Sequence, residues 1–175
     1  MSWSVEGSEP CQACEFQDNL KILRQIPFFS EIPVESLKIF AYLCTRERFR
    51  QGDYLFSQDD DDGQAFYILS GEAELIFNNG HQDLVIRNYK PGDFSGGLTL
   101  LGRTQRLFSL KAISDMVCLM LTREKFQKAV TQVPHVIPGM LQAVVETIWE
   151  WEKRFLEDRS SECDVCRKRT GVSMI

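Results

Sequence analysis

Gly92, Gly96, Gly97 and Arg106 have the types and spacing to act together on one ligand. Between the glycines and the arginine lies a short apolar run, Leu98-Thr99-Leu100-Leu101, and no acidic residue follows Asp93 before Ala112. This composition suits an anion. Glycines let backbone N–H groups approach closely. Successive N–H groups, or the first turn of a helix, supply partial positive charge. An arginine fork then holds two phosphate oxygens at once. On this reading Gly96 to Leu101 form the loop and helix turn, and Arg106 is the fork. Gly pairs are also ordinary turn formers, and the stretch alone leaves both readings open.

A second constellation is sulfur. Of six cysteines, Cys11/Cys14 and Cys163/Cys166 form two C-x-x-C pairs at opposite ends of the chain. Each pair offers two thiolates, as a tetrahedral zinc site requires. An iron–sulfur cluster, a redox disulfide and plain thiols are the alternatives. Cys44 and Cys118 sit in apolar patterns and read as small buried hydrophobes. The run Asp59–Asp62 lacks EF-hand spacing and reads as a solvated hairpin tip, not a calcium loop. His81 and His135 read as surface residues, which leaves no haem ligand and no nucleophile–base–orienter set. A cupin-like metal enzyme needs a His and Glu cluster that the strands lack.

The elements that must position these residues follow from periodicity. Leu20, Ile22, Leu23 and Ile26 make an apolar helix side that Pro27 stops. Val34, Leu37, Phe40, Ala41 and Cys44 repeat at helical spacing. From Thr45 the period becomes that of strands, at 46–50, 54–56, 65–69, 73–77, 84–86, 108–112 and 117–121, with Asn79-Gly80 as a two-residue hairpin turn. Many short strands with Gly/Asn/Asp turns predict a mainly β sandwich or jelly-roll barrel with flanking helices. Thr122 caps a helix from Arg123 to Val130. Pro134 opens a longer helix, with a kink or restart expected at Pro138-Gly139. Leu141, Val144, Ile148, Trp151 and Phe155 then recur as a heptad seam. Val145, Trp149 and Leu156 give a second apolar side, so one face is expected on the barrel and the other on a twin helix in a homodimer.

The stretch from Gly92 to Ala112 resembles the phosphate-binding cassette of the cyclic-nucleotide-binding domain family, which includes catabolite activator proteins, protein-kinase regulatory subunits and gated channels. The family pattern, G-D-x-x-G-E-x-A-L-L, a short gap and R-[ST]-A, is matched at Gly92, Asp93, Gly96, Leu98, Leu100, Leu101, Arg106 and Ala112. The family's ribose-binding glutamate falls on Gly97, its phosphate-touching Ser/Thr on Leu107, and its small Ala on Phe108. The likeness extends over residues 20–155. It implies a double-stranded β-helix (jelly-roll) barrel binding cyclic AMP or cyclic GMP through Gly96, Gly97, Leu98, Thr99, Arg106, Leu107 and Phe108. Thr147 or Trp151 of the last helix would contact the base, and that helix would be both dimer seam and lid. With Gly97 unable to bond the ribose, affinity falls by about 1–3 kcal/mol.

Composition bounds the rest. A net charge of −5 offers no dense basic patch for nucleic acid. No apolar run has the length of a membrane span, and the first residues lack an export signal. The expected organisation is a Cys-bearing tail (1–16), a nucleotide-binding-like barrel (17–132), a dimerisation helix (133–158) and a second Cys-bearing tail (159–175), too short for a DNA-reading module. The expectation is a stand-alone cytoplasmic sensor, not an enzyme, with a small-molecule ligand and a downstream protein partner. A metal or redox sensor acting through the C-x-x-C pairs is the alternative.

Overall fold

The computed structural model describes residues 12–158. The chain opens with α1 (Gln12–Leu23), a 3-10 turn at Pro27–Phe29 and α2 (Val34–Leu43). Strands β1 (Thr45–Phe49), β2 (Tyr54–Phe56), β3 (Gln64–Ser70), β4 (Ala73–Asn78) and β5 (Asp83–Tyr89) follow, then β6 (Phe94–Ser95) and the short helix α3 (Gly97–Leu101). β7 (Ser109–Ala112) and β8 (Met116–Thr122) precede α4 (Arg123–Gln132), a 3-10 turn at Pro134–Val136 and α5 (Ile137–Asp158). The strands form two four-stranded sheets in the orders β1-β8-β3-β6 and β2-β7-β4-β5, with antiparallel pairing throughout. This is the expected jelly roll with flanking helices.

Alternation along the strands builds two cores. On β3 and β8, Phe66, Ile68, Met116 and Cys118 face the other sheet and join Phe56, Leu75 and Leu110. Their neighbours Ala65, Leu119 and Leu121 face outward, where Phe29, Phe40, Phe126 and Met140 of the helical segments cover them. β3 and β8 are therefore apolar on both faces, and their near-continuous apolar sequences follow from that. Thr122 caps α4 as expected, accepting a hydrogen bond from the Lys125 N–H.

Three boundaries differ from the sequence reading. Helix α1 begins at Gln12 and so carries exposed Cys14, which had been assigned to a polar tail. Glu15 sits in its first turn, where the helix dipole favours an anion, and Phe16 packs on the helical core. The turn after β4 spans 79–82 instead of two residues. There the Asn79 side chain accepts hydrogen bonds from the N–H groups of His81 and Gln82. The restart near Pro138 falls earlier, at Ile137. Proline in a first helical turn forfeits no intrahelical bond, so α5 runs on without a break.

Cys44 and Cys118 are buried as expected, and burial pushes both thiols up to about 12. Reactivity needs the thiolate. Iodoacetamide at pH 8, read by peptide mapping, is expected to leave both unmodified in the native protein and to label them once guanidinium unfolds it.

Candidate functional site: a buried arginine at a glycine-walled cavity

The cassette between β6 and β7 is fixed by steric demands on its glycines. Gly96 has φ of 94°, in the left-handed region, and caps α3. A Cβ there would lie 2.5 Å from the Gln64 carbonyl oxygen and 3.0 Å from Arg106 Nη1, so only glycine fits. That carbonyl joins the site together. It accepts a hydrogen bond from Thr99 Oγ1 at 2.9 Å and another from Arg106 Nη2. Thr99 thereby ties α3 to the first residue of β3.

Arg106 is 6% exposed. Its Nε donates to Asp62 Oδ1 at 2.8 Å and its Nη2 to Oδ2 at 2.9 Å, a bidentate pair. The guanidinium carbon lies 3.8 Å from the Phe56 ring centroid, within cation–π range. The backbone holds the same residue. The Arg106 N–H donates to Asp60 O, and the Asp59 N–H to Arg106 O, each at 2.8 Å. Arg106 therefore cannot swing out to solvent. Among the described residues Nη1 has no hydrogen-bond partner, and it lies beside Gly96. The side chain borders a cavity of about 300 Å³, whose wall includes Gly96 to Thr99, Leu107 and Phe108.

Next to this pair, Arg123 at the start of α4 bonds Asp61 and donates from Nε to the Thr99 carbonyl at 2.5 Å. The Arg123 hydrogen bond holds the Asp61 carboxyl below its usual range. The acidic run 59–62 is thus no solvated hairpin tip. Asp61 and Asp62 each neutralise an arginine that touches the cassette. Sequence reading missed them because it sees like charges in a row, while their partners come from 44 and 62 residues away. Phe56 and Gln64 were missed for the same reason.

The expected ligand residues divide between two places. Gly96, Gly97, Leu98, Thr99, Arg106, Leu107 and Phe108 all border the Arg106 cavity. Thr147 does not: it lies on a second cavity, and its Oγ1 donates to Ala143 O at 2.8 Å. Trp151 is 60% exposed and is not on the wall of the Arg106 cavity. The reason is the docking of α5, which rests Met140 and Val144 on the helical layer. The expected dimer seam also divides. Val144 and Ile148 border the second cavity, while Leu141 and Trp151 are exposed. The side chain of Phe155, together with Cys11, Cys163 and Cys166, lies outside the described residues. No group of three or more His, Cys, Asp or Glu among the described residues is placed to hold a metal ion. No helix among them is long and apolar enough to cross a membrane.

Comparison with known proteins agrees with this geometry. Residues 46–132 match the family model described as the cyclic nucleotide-binding domain. The chain is 35% identical over 117 residues to a cAMP-dependent protein kinase regulatory subunit of Emericella nidulans, covering 66% of this chain and 27% of that protein. It is 30% identical over 126 residues to the cyclic AMP receptor protein of Thermus thermophilus, covering 71% of this chain and 58% of the relative. The N-terminal domain of a transcriptional regulator from Streptomyces coelicolor A3(2) superposes with a TM-score of 0.67 at 19% identity, covering 81% of this chain and 99% of that one. This chain belongs to the cyclic nucleotide-binding domain family. It spans about a quarter of the length of the fungal kinase subunit and just over half that of the bacterial receptor.

Asp62→Ala would leave a buried cation without its counter-charge. It is expected to destabilise the fold by about 3–5 kcal/mol in urea unfolding. Asp62→Asn retains acceptor capacity and is expected to cost less.

Proposed function

We propose that this chain is a regulatory, non-catalytic domain that binds a cyclic mononucleotide, cyclic AMP or cyclic GMP, in the Arg106 cavity. One observation carries this reading. Asp62 occupies only the Nε/Nη2 edge of the Arg106 fork, while Nη1 stays uncommitted next to Gly96. A guanidinium has two donor edges. The Nε/Nη2 edge holds the side chain in place, the second Nη2 hydrogen goes to the Gln64 carbonyl, and the Nη1 hydrogens are left for a phosphate oxygen. The named relatives support the ligand class, since they are a cAMP-dependent kinase subunit and a cyclic AMP receptor.

The site departs from the family at the ribose. Gly97 offers no carboxylate, and its backbone faces Phe28 and Phe94, whose ring atoms would lie 3.1 and 3.2 Å from a Cβ at that position. Leu107 is 72% exposed at the rim and Phe108 packs on Phe77, so both add apolar bulk near the phosphate position. Binding then rests on the arginine and the backbone.

The domain is inferred to act as a homodimer through α5, signalling to a downstream protein. Leu141, Val145 and Trp149 are each more than half exposed on that helix. A ligand that favours one packing of cassette against helix shifts the population of dimer states by its differential affinity.

Two measurements test this. Calorimetry is expected to show saturable binding of cyclic AMP or cyclic GMP, weakened about tenfold or more by Arg106→Lys, which keeps charge but loses the fork. The 2′-deoxy analogue is expected to bind within about threefold of the parent, because no side chain at position 97 reads the hydroxyl. Absence of heat with either nucleotide would reject the reading. Light scattering is expected to report a dimer that Leu141→Glu with Val145→Glu converts to monomer.

A further inference from the structure

A second cavity, of about 570 Å³, lies between the Pro27–Phe29 turn, the cassette and α5. Its walls are mainly apolar, formed by Phe28, Phe94, Leu98, Val144 and Ile148. The Phe28 and Phe94 rings stack on each other, centroids 6.3 Å apart at 30°, and both line the cavity. Gly97 makes that arrangement possible, because any side chain there would press on both rings. The residue that removes the family carboxylate from one cavity therefore shapes the other.

The charge on the walls selects the ligand class. Asp93 is the carboxylate on the wall, and it is already used. Its Oδ1 accepts from Arg87 at 2.6 Å and its Oδ2 from the Lys90 N–H at 2.9 Å. Among the described residues no cationic side chain borders the cavity. A charged ligand would give up hydration for nothing in return. Tyr67 Oη and the Gln25 amide do border it, and neither has a hydrogen-bond partner among the described residues. They can serve one polar group on an otherwise apolar molecule. A second copy of the chain is the poorer occupant. The outward apolar residues of α5, Leu141, Val145 and Trp149, do not border this cavity.

We propose that this cavity is a second ligand site, taking a neutral, flat, largely apolar small molecule with one polar group. Gly96, Gly97 and Leu98 border both cavities, so occupancy of one changes the wall of the other. That coupling rests on the nucleotide reading above; the site itself does not. Linkage makes the coupling reciprocal.

The probe is N-phenyl-1-naphthylamine, a neutral dye that fluoresces in apolar surroundings, titrated into the full chain without nucleotide. One saturable site is expected. Thr147→Trp fills the cavity from α5 and is expected to weaken binding about tenfold or more. Glu146→Trp adds the same ring at an exposed position of the same helix that does not border the cavity and is expected to leave binding unchanged. Val144→Phe, a smaller intrusion for use should Thr147→Trp misfold by circular dichroism, is expected to weaken binding about threefold. Unsaturable fluorescence in wild type, or equal binding by the Thr147 and Glu146 variants, would overturn the site. With the dye at saturation, the Kd for cyclic AMP is expected to move about twofold or more. An unmoved Kd overturns the coupling alone. A wild type that binds dye but no nucleotide overturns the functional reading and leaves this site standing.

Discussion

A buried guanidinium must be paired, and much of this domain's architecture can be read as the pairing of Arg106. Removing a cation from water is costly unless its donors are met. Asp62 meets two of them, the Gln64 carbonyl a third, and the Phe56 ring covers one face. Those partners come from β2, β3 and the acidic loop between them, so the arginine clamps the cassette to the strand layer. The same requirement fixes Gly96, whose missing side chain leaves room for both Gln64 O and the guanidinium. Stability and ligand chemistry thus share one group. The bidentate edge holds the fold, and the remaining nitrogen lies beside Gly96 at the cavity wall.

The cassette is also a partition. Its α3 end has the Arg106 cavity on one side and the apolar cavity beneath α5 on the other. A wall of Gly96, Gly97 and Leu98 is thin because two of its residues have no side chain. Arg123 ties α3 to α4 through Thr99 O and Asp61, and α4 leads into α5, the route by which the proposed coupling would travel. Such coupling needs no long pathway, only two packings of one short helix.

Helix α5 shows how pattern and environment differ. Its heptad-spaced residues look equivalent in sequence, yet Val144 is packed against the helical core and Leu141 is 52% exposed. Helical spacing shows which residues share a side. It does not show whether that side meets the chain's own barrel, a cavity or a second molecule. The face that reaches outward is shifted by one residue, to Leu141, Val145 and Trp149.

The fold and the glycine-rich turn before α3 were legible in the primary structure because they rest on local chemistry. Strand alternation, Gly turns, the Thr122 cap and the Gly96-to-Arg106 spacing are each set by residues near one another in the chain. Cys44 and Cys118 were legible as core residues on the same basis. Asp62 as the arginine's partner, Thr147 away from the Arg106 cavity, and Phe28 against the bare backbone of Gly97 were not legible. Each depends on contacts between distant segments, and a one-dimensional pattern carries no distance between an aspartate and an arginine 44 residues apart. Local order alone determined the elements and the glycine-rich loop. Long-range packing decided which donors stay free for a ligand, because burial forces every charge to find its partner in three dimensions.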